Sequence, residues 1–187
     1  MSPEFCDSRE WKIGDSAQKL WARIVAGKGA VVLPTYDMVE TDTASKAPML
    51  FTNDGLLVAP DLLVMSRGKP PKWNEVKAKA KPGWYRIKHR WEHGFDYSLV
   101  REYQQVQNLS GAPVYIVVNE LASPLDNNNE SPLTGPEMWF AISLSNAMTK
   151  GERRPTWPGG RRRPNDRGRR GEGGWLWARN DMFHLHV

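Results

Sequence analysis

Hydrophobic residues recur along this chain with two different periods. Between residues 15 and 26 the apolar positions follow helical spacing, with Gly14-Asp15-Ser16 as a start signal and Gly27 as a stop signal. A second helix is predicted over residues 97–109, ended by Ser110-Gly111. The pattern therefore predicts two helices separated by a long stretch of other structure.

Short apolar runs predict the strands. They cover residues 30–33, 56–65, 72–80, 114–118 and 139–144, and a final strand or hairpin covers 175–178 and 182–187. The order is helix, three strands, helix, strand and a β-rich tail. This order is typical of an α/β protein with a mixed central sheet flanked by helices. We expect residues 1–187 to form a single domain, since no internal repeat is visible.

The net charge of +5 is concentrated in one segment. Residues 151–173 hold eight arginines and three acids, whereas the rest of the chain carries equal numbers of basic and acidic groups. We expect a basic, Arg/Gly/Pro-rich loop or insertion over about 151–174. A local cationic segment favours a nucleic acid as partner, by attraction to phosphates and release of their counterions. The alternative is a solvated charge run that binds nothing.

The compartment is indicated by the single cysteine. Cys6 cannot form an intrachain disulfide, and the chain cannot build a cysteine-rich zinc module. The N-terminal residues show no apolar signal region, and the longest apolar stretch, near residues 55–65, is too short to span a membrane. We therefore expect a cytoplasmic or otherwise intracellular protein in a reducing compartment, with no membrane partner.

Two acids and a lysine occupy positions suited to metal-assisted chemistry. Asp61 follows Pro60 near the middle of a predicted strand, and Glu75 and Lys77 project to one face of the next strand. If the two strands pair, the three side chains converge. Mg²⁺ prefers oxygen ligands, which Asp61, Glu75 and the carbonyl of Val76 would supply. Lys77 would orient the attacking water and stabilise charge developing on a phosphate.

The acid-x-Lys tripeptide alone is weak evidence. A chain of this composition contains it about once by chance. A second copy, Glu10-Trp11-Lys12, has no Pro-Asp strand before it. Glu75-Val76-Lys77 gains weight from its context. It lies in an alternating strand, and the strand before it, one turn upstream, is apolar and carries Pro60-Asp61.

The complete pattern, Pro60-Asp61, thirteen residues and Glu75-Val76-Lys77, resembles the PD-(D/E)xK nuclease superfamily. That superfamily includes restriction endonucleases, Holliday-junction resolvases and phage exonucleases. The resemblance covers roughly residues 11–120 and concerns architecture and a short motif. It implies a restriction-endonuclease-like core and hydrolysis of phosphodiester bonds with Mg²⁺, or with Mn²⁺ in its place.

The resemblance also implies further site residues. Many members carry an acid on the first helix, and here that acid is Asp15, whose alternative role is an N-cap. Several members place a Gln or Tyr on the helix after the motif. Tyr103 and Gln107 are four residues apart on one face of that helix, and Gln104 remains an alternative.

Basic residues continue beyond the motif and alternate with aromatic ones, a composition that suits a groove for a nucleic-acid backbone. A surface loop pinned by tryptophans is the alternative. His93 and Asp96 form a further pair, for proton transfer or for loop capping. The expected nucleic-acid contacts are Lys79, Lys81, Arg86, Lys88, Arg90, Arg153, Arg154, Arg161, Arg162, Arg163, Arg167, Arg169 and Arg170.

The sequence thus predicts a metal-dependent DNA endonuclease, structure-selective in the manner of a junction resolvase or nickase. The alternatives are an exonuclease, a non-catalytic nucleic-acid-binding protein on the same fold, and an RNA-binding protein. A resolvase would act as a homodimer. Trp175, Trp177 and Phe183 are expected either at its interface or in the core.

Overall fold

A computed structural model describes residues 9–35, 49–53, 55–124, 136–154 and 173–187. The helices are α1 (Arg9–Gly27), α2 (Tyr97–Ser110) and α3 (Leu144–Lys150). Two short 3₁₀ turns cover Arg86–Lys88 and Arg179–Asp181. The strands are β1 (Val31–Pro34), β2 (Met49–Thr52), β3 (Gly55–Val58), β4 (Leu62–Met65), β5 (Lys72–Lys79), β6 (Gly83–Tyr85), β7 (Arg90–Asp96), β8 (Val114–Glu120), β9 (Met138–Ser143), β10 (Glu152–Arg154), β11 (Gly174–Ala178) and β12 (Phe183–Leu185).

A six-stranded mixed sheet lies at the centre, in the order β1-β4-β5-β8-β9-β12. β5 and β8 run parallel, and the other neighbouring strands of this sheet run antiparallel. Helix α1 covers one face of the sheet. Helices α2 and α3 cover the other face together with a second sheet of order β10-β11-β7-β6. The predicted α/β class, with a mixed sheet flanked by helices, is confirmed.

Strand β5 separates the two cores because its side chains alternate between the faces. Val76 packs on the α1 side with Trp21, whose indole N–H donates to the side-chain oxygen of buried Asn74 at 3.0 Å. Trp73 belongs to the core under α2. The alternation therefore directs Glu75 and Lys77 toward α2 and the second sheet.

The strand predicted over residues 56–65 is in fact two strands. β3 pairs with β2, whereas β4 pairs with β1 and β5. The break falls at Ala59-Pro60-Asp61, since proline has no N–H to continue a strand ladder. Thr35 holds the break, because its hydroxyl donates to the carbonyl of Pro60 at 2.6 Å. Asp61 thus lies just before β4 and not in the middle of a strand.

The first helix begins earlier than predicted. It starts at Arg9, so Gly14-Asp15-Ser16 lies inside it and caps nothing. An internal glycine costs a helix about 1 kcal/mol relative to alanine. Packing of Ala17 and Trp21 against the central sheet offsets that cost.

Several elements near the C-terminus also differ from expectation. The predicted strand 139–144 ends one residue early because the Ser143 hydroxyl accepts the Asn146 N–H at 3.2 Å and caps the unpredicted α3. The predicted loop 151–174 has strands at both ends, and β10 pairs with β11. β11 and β12 join different sheets and form no hairpin. Trp177 is buried core, which rules out an interface role, while Phe183 is exposed.

None of the helices in the described ranges has the length and apolar character needed to cross a membrane.

Two glycines offer a matched test of this packing. A Cβ at Gly14 would meet nothing within 4 Å, whereas a Cβ at Gly151 would lie 2.5 Å from the Ala147 carbonyl and collide with the Trp175 indole. We expect Gly14→Ala to stabilise the protein by about 1 kcal/mol. Gly151→Ala should destabilise it by about 1–3 kcal/mol. Urea unfolding of both variants measures this, and equal effects would contradict the packing of these two glycines.

Candidate active site

Asp61 and Glu75 lie side by side because β4 and β5 pair in antiparallel register. Leu62 lies opposite Asn74, so one step further along places Asp61 opposite Glu75. The Asp61 carboxylate accepts the Val76 N–H at 2.8 Å. In return, the Asp61 N–H donates to the Glu75 carboxylate at 3.3 Å. These reciprocal bonds fix both carboxylates in one buried place.

Lys77 completes the cluster from the same face of β5. Its Nζ lies 2.5 Å from Glu75 Oε1 and 5.4 Å from the centre of the Phe95 ring. The Lys77 side chain is 34% exposed, whereas that of Glu75 is 2% exposed. Lys77 is therefore the most exposed residue of the cluster.

Tyr103 approaches Glu75 from helix α2. Its hydroxyl donates to Glu75 Oε2 at 2.7 Å, and its ring packs against Phe95 with 5.6 Å between centroids. Both oxygens of Glu75 are thus engaged, one by Lys77 and the other by Tyr103 and the Asp61 N–H. Tyr103 is a buried residue that fixes the rotamer of the carboxylate.

The electrostatics of this cluster follow from its burial and its excess of acid. Burial and the neighbouring Glu75 charge raise the pKa of Asp61 from 3.8 to about 8. Burial alone would lower the pKa of Lys77, but Glu75 and Asp61 outweigh it and raise that pKa. Burial and the Glu75 charge also raise the pKa of Tyr103. Two carboxylates share one ammonium, so the cluster favours one more proton or cation.

This donor set fits a hard divalent cation with few protein ligands. Within the described ranges no group of three or more His, Cys, Asp or Glu side chains is placed to hold a metal. Mg²⁺ commonly binds through one or two carboxylates and keeps several waters. Asp61 and Glu75 are such a pair, and Lys77 is the group that already neutralises part of their charge.

Two residues predicted for the site lie apart from it. Asp15 forms an ion pair with Lys19 at 2.8 Å on α1, the helix that covers the opposite face of the sheet. Gln107 binds the start of β8, where its Oε1 accepts the Val114 N–H at 3.1 Å, and its Nε2 donates to Ser145 at 3.2 Å. These bonds direct both side chains to other partners. The catalytic roles of Asp15 and Gln107 stay predictions.

The basic residues predicted to bind nucleic acid fall into three groups. Arg86, Lys88 and Arg90 lie on or next to the turn between β6 and β7. There, Lys88 pairs with Glu152 at 2.6 Å and Arg90 with Glu92 at 2.8 Å. Arg153 and Arg154 lie on β10, and Lys79 and Lys81 lie at or beyond the end of β5. The remaining predicted contacts are outside the described residues: Arg161, Arg162, Arg163, Arg167, Arg169 and Arg170.

Sequence reasoning missed a buried polar network beside the site. His93 was predicted to pair with Asp96, but its Nε2 lies 2.6 Å from the Glu120 carboxylate. Arg179 donates to the same carboxylate at 2.8 Å, and Ser123 also donates to it. Burial lowers the pKa of His93. No sequence signal could reveal this network, because its members come from distant segments that only the packing brings together.

Comparisons with known proteins add little to this geometry. No protein-family model matches the chain, and no curated protein matches it. One solved structure that is similar is Hjc from Archaeoglobus fulgidus, a Holliday junction resolvase from an archaeal hyperthermophile. The TM-score is 0.49 and the identity 12%, over 90% of each chain. A similarity of this size carries no conclusion about function.

The raised pKa of Asp61 makes a prediction about the metal-free protein. The fold holds a proton on Asp61 that the unfolded chain releases near pH 4, so stability falls as the pH rises from about 4 to about 8. Asp61→Asn carries no such proton. We expect its Tm to exceed that of the wild type at pH 8 in EDTA by at least about 2–4 °C, the effect of 1 kcal/mol. The excess should shrink toward pH 4.

Calorimetry between pH 4 and pH 8 measures this difference. Glu137→Gln is the matched control, because it neutralises an exposed carboxylate elsewhere on the protein. Parallel pH profiles for wild type and Asp61→Asn would contradict the assignment of a raised pKa to Asp61.

Proposed function

We propose that this protein is a metal-dependent nuclease that hydrolyses phosphodiester bonds in DNA as an endonuclease. The observation that carries the proposal is the convergence of Asp61, Glu75 and Lys77. Lys77 Nζ lies 2.5 Å from Glu75 Oε1. The Asp61 carboxylate accepts a hydrogen bond from the N–H of Val76, the residue between Glu75 and Lys77 in sequence. Carboxylates for a metal and an ammonium for a phosphate are the parts that such hydrolysis needs.

Each side chain has a distinct role in this proposal. Asp61 and Glu75 would hold Mg²⁺, or Mn²⁺ in its place, and the Val76 carbonyl would be a further ligand. The bound metal would supply Lewis acidity and a bound water of lowered pKa. Lys77 orients the water and stabilises the negative charge that develops on the phosphate. Tyr103 positions Glu75 through its hydrogen bond.

A purely structural role explains this cluster poorly. One ammonium and one carboxylate would form a balanced ion pair, and the second buried carboxylate adds repulsion. The pKa of Asp61, raised to about 8 by burial and by Glu75, is the sign of that cost. Strongly shifted pKa values in acids that face one another are typical of functional sites.

DNA as the substrate is supported by charge next to the site. Lys79 lies on the same face of β5 as Lys77, and Lys81 follows it. Residues 151–173, with eight arginines and three acids, carry a net charge of +5. This charge supports nucleic-acid binding, and the resemblance seen in the sequence favours a structure-selective endonuclease such as a resolvase or nickase.

A cleavage assay tests the proposal. We expect the wild type to cut labelled DNA in Mg²⁺ or Mn²⁺ but not in EDTA. Glu75→Gln removes a metal ligand and Lys77→Met removes the phosphate partner, so each should lower kcat at least about 100-fold. The panel of substrates comprises linear duplex, single strands, flaps and four-way junctions, each labelled internally and at the ends to separate endonuclease from exonuclease products.

Two exposed residues provide matched controls for these variants. Glu137→Gln and Lys69→Met make the same charge changes at exposed positions, Glu137 just before β9 and Lys69 in the turn between β4 and β5, and should keep the wild-type rate. Salt-sensitive binding of DNA without cleavage in either metal would refute the enzyme and leave a nucleic-acid-binding protein.

Metal binding has a separate readout that needs no substrate. Mg²⁺ at about 100 times its Kd should stabilise the wild-type protein by about 2.7 kcal/mol. Asp61→Asn and Glu75→Gln each remove a ligand and should abolish the rise in Tm, whereas Glu137→Gln should retain it. An equal rise in all four proteins would place the metal elsewhere.

A further inference from the structure

A basic cleft of about 440 Å³ opens between the end of β5 and the second sheet. Lys79 and Lys81 line it from the β5 side, Trp84 and Tyr85 from β6, and Arg154 from β10. Pockets of about 300–1,000 Å³ take ligands the size of a drug or a nucleotide. The cleft is therefore large enough for one nucleotide.

The charge of the basic cleft is positive and only partly balanced. Glu92 also lines it, but Arg154 pairs with Glu92 at 2.8 Å and so neutralises it. Lys79 and Lys81 form no ion pair within the described part of the chain. Burial and the neighbouring Lys77 charge lower the pKa of Lys79. The cleft thus holds two ammonium groups that an anion would stabilise.

Aromatic residues hold the opposite wall. The Trp84 ring meets Trp91 edge to face, with 5.1 Å between centroids. The guanidinium of Arg154 lies 3.5 Å from the centre of the Tyr85 ring. These contacts fix the rings without burying Trp84, which stays half exposed. Fixed aromatic rings beside cations are the arrangement that binds single-stranded nucleic acids.

The basic cleft lies next to the proposed active site along β5 and β7. Lys79 lies two residues after Lys77 on the same face of β5, which corresponds to roughly 6.6 Å along a strand. His93 lines the cleft, and Phe95, two residues further along β7, contacts the Lys77 ammonium at 5.4 Å. A strand whose scissile phosphate lay at Lys77 would place its next phosphate near Lys79.

We propose that the basic cleft receives one unpaired nucleotide next to the cleaved bond, with its phosphate on Lys79 and Lys81 and its base against Trp84. The inference rests on the proposed nuclease function and specifies its substrate class. Stacking against Trp84 needs a base whose face is free, so the cleft favours a nucleotide that is not held within a duplex stack. The protein therefore selects DNA in which the nucleotide beside the cut is already unpaired, as in a flap, a gap or a branch point.

Binding without catalysis tests this proposal independently of cleavage. Fluorescence anisotropy in EDTA compares a blunt duplex with the same duplex carrying a single-stranded flap, using the Asp61→Asn protein to prevent cutting. Trp84→Leu and Lys81→Met, each added to that protein, should weaken flap binding about tenfold while changing duplex affinity less than twofold. Lys69→Met, on an exposed lysine at the other end of β5, should change neither affinity.

Two further measurements exclude simpler explanations. Thermal melting identifies any variant that fails to fold, and Lys81 is exposed, so Lys81→Met should fold normally. Lys79→Met should lower the slope of log affinity against log salt by about one for the flap substrate. An equal loss on duplex and flap, or no loss on either, would overturn the proposal.

The two proposals fail in different ways. Selective loss of flap binding together with a wild type that never cuts DNA would leave the basic cleft standing and refute the nuclease. Metal-dependent cleavage by the wild type, with unchanged flap binding in Trp84→Leu and Lys81→Met, would refute only the proposal about the basic cleft.

Discussion

The reciprocal hydrogen bonds between Asp61 and the Glu75-Val76 segment are the interaction on which the site depends. Asp61 follows a proline that ends one strand, and its carboxylate takes the Val76 N–H at 2.8 Å where the strand ladder would otherwise continue. The Asp61 N–H turns back to Glu75. The carboxylate thereby bridges the place where the ladder between β4 and β5 stops, and this bridge holds two acids next to each other.

The two buried carboxylates lower the stability of the folded protein, and the packing around them offsets this cost. Two buried carboxylates oppose each other, and one ammonium balances only part of their charge. The core beneath α2 supplies the compensating stability through buried groups such as Val100, Tyr103 and Ile116. The same core fixes the Tyr103 hydroxyl on Glu75, so packing and the positioning of the carboxylate are one feature.

The second sheet extends the site away from the motif. Strand β7 brings Phe95 to Lys77 and His93 to Glu120, which lies at the end of β8. Its pairing with β6 and β11 forms the walls beside Lys79. The central sheet thus supplies the proposed chemistry, and the second sheet supplies the surface that would hold the strand being cut.

The sequence determined the α/β order, helix α2, strands β5 and β8, and the shared face of Glu75 and Lys77, because these depend on local periodicity. It also singled out Asp61 and Tyr103, which the fold brings into contact with Glu75. The break at Pro60 and the α3 cap at Ser143 have local causes, but a short apolar run does not reveal them. The fold alone shows that β3 and β4 join different sheets, as do β11 and β12, because this depends on which partner each strand finds. The partner of His93 and the walls of the basic cleft likewise come from segments distant in sequence, and a local pattern carries no information about contacts that only packing creates.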